Sequence, residues 1–291
     1  MIEDHASAVR LPGGLWVDGT RHQEAWLRPV VGADESHLET AANALPLAAW
    51  TTAILTRCLV QLGPIRPVTA AAVRSLCVGD REALVLQLRQ LTLGDRMPCV
   101  VNCPACGQAL DLALHATDLL VPPYDEAGPT YDFSSSDEGE GYHVRFRLAT
   151  GADQEAVAMT ARTNVPAAAA ALLQRCVVGV RRNGGSDLAI GECTEELGNR
   201  ISQRIGEVDA QAELSFNLHC PECEKEFSAM LDAAACFRRE LSQRGRDWCR
   251  EVHFLAYHYH WSEQDILAMP PSRRRRYVEV LADSLRDDSH A

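Results

Sequence analysis

The stretch Cys103-Pro104-Ala105-Cys106 recurs later in the chain as Cys220-Pro221-Glu222-Cys223, and these first and second cysteine turns decide the predicted fold. A Cys-x-x-Cys turn directs both sulfurs at one point, and two such turns supply the four thiolates of a tetrahedral zinc site. Four sulfurs fill the coordination sphere, so no position stays open for a substrate. The sequence therefore predicts a structural zinc ion whose ligands are Cys103, Cys106, Cys220 and Cys223.

The two cysteine turns lie far apart in the chain, with 113 residues between Cys106 and Cys220. Closing a flexible loop of that length costs roughly 4 kcal/mol, whereas a structural zinc ion contributes on the order of 10–16 kcal/mol in small peptides. Zinc binding therefore outweighs loop closure. The alternative is two separate redox-active pairs. A thioredoxin-like motif opens a helix after a strand, however, and here alternating residues continue on both sides of each turn.

The cysteine turns belong to a longer internal repeat. Gly32-Ala33-Asp34 recurs as Gly151-Ala152-Asp153, and Arg57-Cys58 recurs as Arg175-Cys176, with offsets of 119 and 118 residues. The cysteine turns follow in the same order with an offset of 117. The sequence therefore predicts an α+β fold of internally duplicated α/β units, joined by a split zinc ribbon and followed by a helical C-terminal region.

The predicted boundaries follow the repeat and the composition. A stretch with several acidic residues and no lysine or arginine separates the two repeats, which is typical of a solvated linker. The predicted segments are an N-terminal segment (1–24), a first unit with the first cysteine turn (25–123), an acidic linker (124–141), a second unit with the second cysteine turn (142–227) and the helical C-terminal region (228–291).

The C-terminal region has a helical pattern of apolar residues. Side chains from Ala234 to Tyr259 recur at alternating three- and four-residue steps, which predicts one long amphipathic helix. Ser262 is placed to cap a short helix after it, and Ser272 to cap a last one.

A run of four arginines opens the last predicted helix. Their charges oppose the helix dipole by about 0.3–1 kcal/mol each when exposed, so either acidic groups compensate for them or the run binds a partner. The chain's own carboxylates or solvent, an acidic protein surface and nucleic acid all stay open as counterparts. The candidate partner-binding residues are Trp261, Arg273, Arg274, Arg275 and Arg276.

Other cysteines and histidines have simpler interpretations. Cys99 aligns with a phenylalanine in the repeat, and Cys58 and Cys176 lie on apolar helical faces, so these three are predicted core residues. A histidine group lies beside acidic residues, but its first two members are five positions apart and diverge on a helix, which favours helix-end packing over a second metal site. The group consists of His253, His258 and His260.

Charge and composition exclude several classes of protein. The 291 residues carry a formal net charge of −12, so the chain repels phosphates and is no general nucleic-acid coat. No window holds the roughly 18 apolar residues of a membrane span, and the start lacks a secretory-signal pattern, so a cytoplasmic protein is expected. No nucleophile elbow, phosphate loop, dinucleotide fingerprint or His-Glu-x-x-His motif occurs, so we expect no enzyme.

Several segments occur in an order that is distinctive of one known family. They are Phe146-Arg147-Leu148, Arg175-Cys176-Val177, Cys220-Pro221-Glu222-Cys223 and His260-Trp261-Ser262-Glu263. In these segments the chain resembles the T-even-phage-type baseplate hub assembly chaperone family, which includes relatives in contractile injection system gene clusters. The resemblance covers roughly residues 25–285 and departs from the family pattern at Ala149, where proline is expected, and at Glu224.

The resemblance implies a non-enzymatic chaperone or adaptor that binds the baseplate hub or other tail proteins during assembly. A permanent structural component of the baseplate is the first alternative. A zinc-ribbon nucleic-acid-binding regulator is the second, favoured only by the cysteine turns and the arginine run. No membrane partner is expected, and the sequence sets no oligomeric state.

Overall fold

The computed structural model describes residues 6–42, 44–137, 140–183, 185 and 187–288. Parts of all five predicted segments lie outside these residues, namely 1–5, 43, 138–139, 184, 186 and 289–291. Helices and strands alternate along the chain, and helices alone make up its C-terminal end. The predicted α+β class and the helical C-terminal region are therefore confirmed.

In the described part of the chain, the strands form two antiparallel sheets and two separate hairpins. The first sheet has the order β1-β2-β3, the second β6-β7-β8-β9, and the hairpins are β4-β5 and β10-β11. The strands are β1 (Ser7–Val17), β2 (Thr20–Leu27), β3 (Leu59–Leu62), β4 (Arg96–Asn102), β5 (Ala109–His115), β6 (Tyr131–Asp137), β7 (Glu140–Phe146), β8 (Val177–Arg182), β9 (Asp187–Leu188), β10 (Leu214–His219) and β11 (Glu226–Leu231).

The helices lie between the strands and at the C-terminal end. Thr69, Thr194, Asp232 and Ser262 each cap one of them by accepting a hydrogen bond from a first-turn amide. The helices are α1 (Gly32–Ala42), α2 (Leu47–Cys58), α3 (Ala70–Ser75), α4 (Val78–Leu93), α5 (Gly151–Ala161), α6 (Val165–Cys176), α7 (Glu195–Val208), α8 (Ala233–Tyr259), α9 (Glu263–Leu267) and α10 (Pro271–Asp288).

The main core lies between the first sheet and helices α2, α4 and α8. Ile54 of α2, Leu84 of α4 and Phe237 of α8 are fully buried in it. Phe237 also meets Trp50 of α2 edge to face, with ring centroids 6.3 Å apart. The long amphipathic helix predicted from the sequence therefore exists, and its first turns cover the α1–α2 hairpin.

Strand β6 lies within the stretch predicted as a solvated linker. Tyr131 is buried and stacks on Phe146 with ring centroids 5.4 Å apart, and Phe133 meets the same ring edge to face. The acidic composition conceals an alternation that puts Tyr131 and Phe133 on one face of a strand. The linker prediction is therefore wrong for residues 131–137. The boundaries of the two repeat units stay predictions.

Candidate functional site

Each cysteine turn connects the two strands of a β-hairpin. The first lies between β4 and β5, whose last paired residues are Asn102 and Ala109. The second lies between β10 and β11, which end in the pair His219 and Glu226. Both turns therefore span six residues and begin directly after a strand, so the four cysteines occupy equivalent positions in the two hairpins.

Backbone hydrogen bonds fix the first cysteine turn. The Cys103 amide donates to the Gln108 carbonyl oxygen at 2.8 Å, and the Gly107 amide donates back to the Cys103 carbonyl oxygen at 2.9 Å. The second bond requires a left-handed backbone, and Gly107 has a φ of 77°. Glycine adopts this conformation at no steric cost because it has no Cβ atom.

The second cysteine turn repeats these bonds with glutamate in the glycine position. The Glu224 amide donates to the Cys220 carbonyl oxygen at 2.9 Å, and the φ of Glu224 is 57°. A left-handed backbone costs a residue with a Cβ atom roughly 1–2 kcal/mol. The backbone at Glu224 is therefore strained, and this strain leaves all four cysteines in place.

Glycine at position 224 is expected to stabilise the chain. The variant Glu224→Gly relieves the left-handed strain but gains freedom when unfolded, so we expect the free energy of unfolding of the metal-free protein to rise by about 0.5–1 kcal/mol. Urea denaturation followed by tryptophan fluorescence measures the change. Glu222→Gly is the matched control, because position 222 has no positive φ in this turn, and it should give no gain. A loss of stability in Glu224→Gly would contradict the strain.

The two cysteine turns meet at their tips. All four Sγ atoms lie within 4.8 Å of one another. The Sγ atoms of Cys103 and Cys223 are 3.7 Å apart, and those of Cys106 and Cys220 are 3.6 Å apart. Four sulfurs around one ion at about 2.3 Å are separated by about 3.8 Å in a tetrahedron. The donor set and its spacing are therefore compatible with a four-coordinate metal site.

The local electrostatics favour the deprotonation of one cysteine but oppose the deprotonation of several cysteines at once. The backbone amide of Cys106 lowers the pKa of the Cys103 thiol to about 6. The Gln108 amide lowers the pKa of Cys106, but desolvation and the three neighbouring sulfur groups outweigh it and raise that pKa to about 12. Like charges at this distance disfavour joint ionisation. A divalent cation removes that repulsion, so metal binding here would release protons and weaken as the pH falls.

The site lies half inside the protein. Cys103 and Cys220 are buried, whereas Cys106 and Cys223 are exposed. A four-sulfur set leaves no coordination position for a substrate. With a metal ion bound, the four cysteines would cross-link two hairpins that are distant in sequence.

The cysteines predicted to be core residues are buried. Cys99 lies in the main core, as does Cys58, and Cys176 is 2% exposed. Burial raises the pKa of Cys58 to about 12 and that of Cys176 to about 11. Such thiols stay protonated and are poor metal ligands. Among the described residues, the four cysteines of the two turns form the one group of three or more potential metal ligands.

The predicted histidine group lies in the last two turns of α8 and directly after it. His258 meets Phe254 edge to face at 4.9 Å, and His253 stacks near Tyr257 at 6.3 Å. His260 has a φ of 58° and ends the helix, with its amide donating to the Ala256 carbonyl oxygen at 2.9 Å. His258 therefore packs against its own helix, whereas His253 and His260 are exposed, and helix-end packing stays a prediction for these two.

The arginine run divides into one buried and three exposed residues. Arg274 is 1% exposed, and its guanidinium pairs with Glu35 of α1 and with Glu251 of α8, the latter at 3.0 Å. It also donates to the Met269 carbonyl oxygen at 2.9 Å. The prediction that Arg274 binds a partner is therefore wrong, because the chain's own carboxylates neutralise it. Three members of the run stay exposed, namely Arg273, Arg275 and Arg276.

Trp261 lies in an aromatic group with Tyr277 of α10, the helix that also carries the exposed arginines. Its ring stacks on Tyr259 with centroids 4.8 Å apart and meets Tyr277 edge to face at 5.0 Å. Trp261 is partly exposed. Aromatic rings near arginines are enriched at protein interfaces. We call Tyr259, Trp261, Tyr277 and the exposed Arg273, Arg275 and Arg276 the aromatic–arginine surface.

Two ion-pair clusters were not found from the sequence. Asp34 accepts hydrogen bonds from Arg28 at 2.6 Å and from Arg57 at 2.9 Å. Asp153 is held in the same way by Arg147 at 2.6 Å and by Arg175 at 2.7 Å. Burial alone would raise the pKa of both aspartates, but the arginines keep each below its ordinary value. The signal was present, since an arginine precedes each aspartate by six residues.

Of the comparisons with known proteins, a family model matches most of the chain. The model of a family described as T4 bacteriophage base plate protein matches residues 19–237. No curated protein and no solved structure gives a significant match. Within the described residues, no helix is both long and apolar enough to cross a membrane.

Proposed function

The chain belongs to the T4 bacteriophage base plate protein family, and from this premise we propose that it is a non-enzymatic assembly chaperone or adaptor for the baseplate hub of a phage-tail-like contractile injection system. The family match carries the baseplate role, because it extends through both cysteine turns and the main core. The proposed place of action is the cytoplasm, whose reducing conditions keep the cysteines of both turns as free thiols.

The proposed cofactor is one structural zinc ion. Cys103, Cys106, Cys220 and Cys223 would hold it, and the ion would supply a cross-link without open coordination positions. The sulfur separations of 3.6 and 3.7 Å support a tetrahedral ion. In this proposal the ion fixes the β4-β5 hairpin against the β10-β11 hairpin, so that both halves of the chain form one binding scaffold.

Internal duplication is part of the same proposal. Helices α1 and α5 both have 11 residues, and α2 and α6 both have 12. The ion pairs of Asp34 and Asp153 use arginines at equivalent positions. Similar lengths and contacts at a nearly constant offset support two copies of one ancestral unit.

We propose the aromatic–arginine surface as the contact for the hub or for other tail proteins. It lies at the end of α8, in the α8–α9 connection and on α10, beyond the matched residues 19–237. The chain as a whole is acidic, with a formal net charge of −12. A cluster of three exposed arginines therefore favours a partner with an acidic patch.

Loss of this surface is expected to abolish partner binding without unfolding the chain. In co-expression with the tail proteins of its own gene cluster, the tagged Trp261→Ala/Arg275→Glu/Arg276→Glu variant should retain less than about a tenth of the hub protein, a loss of about 1.4 kcal/mol or more. The matched control Arg145→Glu/Arg181→Glu changes two exposed arginines on the second sheet. Equal hub recovery from both variants would contradict the assignment.

Mass spectrometry of purified particles separates a chaperone from a permanent component. A permanent structural component is the alternative, and the family description supports it because that description names a base plate protein. A chaperone should be absent from particles or far below the stoichiometry of the baseplate proteins. Full stoichiometry in finished particles would replace the chaperone role with a structural one.

A further inference from the structure

Two sulfur contacts connect the cysteine turns directly. The Sγ atom of Cys103 lies 3.7 Å from that of Cys223, and the Sγ atom of Cys106 lies 3.6 Å from that of Cys220. Each contact joins the first cysteine of one turn to the second cysteine of the other turn. The two contacts are therefore equivalent in the two hairpins, and together they include all four sulfurs, which we call the sulfur group.

A disulfide bond at either contact requires only a small movement. The sulfur atoms of a disulfide are about 2.05 Å apart, so each contact would shorten by about 1.6 Å. Rotation about the two Cα–Cβ bonds can supply this movement. The backbone hydrogen bonds that fix the turns, from the Cys103 amide to Gln108 and from the Cys220 amide to Lys225, do not involve the sulfurs and can stay in place.

One thiol of each contact is open to solvent. Cys106 and Cys223 are exposed, whereas Cys103 and Cys220 are buried. Oxidation by peroxides begins at thiolates that solvent reaches, and a neighbouring thiol then converts the oxidised sulfur into a disulfide. In this site each exposed sulfur has a buried sulfur of the other turn in contact with it, so both reactants of the second step are in place.

We infer that a hydroperoxide such as hydrogen peroxide converts the sulfur group into two disulfides that join the cysteine turns, Cys103 to Cys223 and Cys106 to Cys220. The two hairpins then have a covalent cross-link in oxidising surroundings and a metal cross-link in reducing ones. The inference concerns the regulation of the proposed zinc site, and its metal-bound state rests on that proposal.

The chemistry of each disulfide uses one peroxide molecule. The thiolate of Cys223 attacks one peroxide oxygen, the O–O bond breaks and hydroxide leaves, which gives a sulfenic acid on Cys223. Metal binding weakens because three sulfurs remain. The Cys103 sulfur then attacks the sulfenic sulfur, so an S–S bond forms, the S–O bond breaks and the hydroxide leaves as water with the thiol proton. Two thiols lose two electrons, and the peroxide becomes two water molecules. Cys106 and Cys220 react in the same way.

Pairing between the turns differs in its consequence from pairing within each turn. Disulfides within each turn would leave the two hairpins unconnected once the metal has left. A Cys103–Cys223 disulfide instead joins positions that are 120 apart in sequence. Oxidation therefore replaces the cross-link between the two halves of the chain and does not remove it.

Peptide mapping of the full-length protein, purified with zinc and then treated with hydrogen peroxide, tests the inference. Remaining thiols are blocked with N-ethylmaleimide under denaturing conditions, and the monomer band of a non-reducing gel is digested with trypsin. The two turns lie on separate tryptic peptides, 97–145 and 205–225. Mass spectrometry should find these two peptides joined by two disulfides, with Cys99 alkylated. Zinc release, measured with a colorimetric chelator, should accompany the joining.

Two double variants compare the pairings at equal peroxide concentration. Cys106→Ser/Cys220→Ser keeps the contact between Cys103 and Cys223. Cys220→Ser/Cys223→Ser keeps Cys103 and Cys106, which belong to one turn. Both variants keep one buried and one exposed thiol and lack two of the four zinc ligands, so they are matched in access and in metal loss. The first variant should form its disulfide at least about three times faster than the second.

Several results would overturn the inference. They are separate peptides that each carry an internal disulfide, joined peptides only in the dimer band, oxidation to sulfinic acid without disulfides, and equal rates in the two variants. Zinc content before peroxide treatment tests the cofactor proposal independently. Protein without zinc whose turns still become joined contradicts the zinc site alone, whereas zinc-loaded protein that gives two internal disulfides contradicts this inference alone.

Discussion

Purified Cys103→Ser and Cys220→Ser proteins are expected to contain almost no zinc, whereas the parent chain should contain about one ion per molecule. Each substitution removes one of four sulfurs that lie within 4.8 Å of one another, and a three-sulfur set binds zinc far more weakly. The free energy of unfolding should fall by several kcal/mol, since structural zinc contributes about 10–16 kcal/mol in small peptides and the hairpins keep their apolar packing. Inductively coupled plasma mass spectrometry and urea denaturation measure the two effects.

Cys99→Ser is the matched control for these variants. Cys99 is four residues from Cys103 and lies in the main core, away from the sulfur group. The Cys99→Ser variant should therefore lose some stability but keep its zinc. Zinc retention by both Cys103→Ser and Cys220→Ser would refute the four-sulfur site. A disulfide within each turn of protein isolated without reductant would favour the redox alternative.

Arg274→Ala is expected to lower the free energy of unfolding by about 3–5 kcal/mol. The substitution leaves Glu35, 5% exposed, as a buried carboxylate without this guanidinium, and removing one partner of a buried ion pair costs about this much. It also removes the ion pairs that connect α10 to α1 and α8. Urea denaturation measures the loss, and hydrogen exchange should show faster exchange in α10.

Arg275→Ala is the control in the same helical turn. Arg275 is exposed, so its removal should change stability by no more than about 0.5 kcal/mol. Arg274→Lys should recover part of the loss, because it keeps a charge but cannot make the same set of hydrogen bonds. Similar losses for Arg274→Ala and Arg275→Ala would contradict the buried ion pair.

The cysteine turns could be predicted from the sequence because their chemistry depends on local spacing. Four sulfurs in two short turns have few arrangements, and one ion explains both turns at once. The long helix α8 was also predictable, since its apolar stripe has a helical period over more than 20 residues. In both cases the pattern on which the prediction depends lies in residues that are close together in the sequence.

The role of Arg274 could not be predicted in this way. Four consecutive arginines are equivalent by composition, and which one turns inward depends on where α1 and α8 lie. Glu35 is 239 positions away in sequence, so no local pattern connects the pair. Strand β6 was missed for a different reason, because the acidic residues in and around it outweighed Tyr131 and Phe133 in the composition.

The division of the sulfur group between two distant hairpins has a consequence during translation. Domains fold from the N-terminus as the ribosome delivers them, so the first hairpin emerges with only Cys103 and Cys106 and lacks the other pair for more than a hundred residues. In the proposed zinc site, a prematurely terminated product that ends before Cys220 cannot complete the coordination shell. The complete site would therefore form only in chains whose synthesis has passed residue 223.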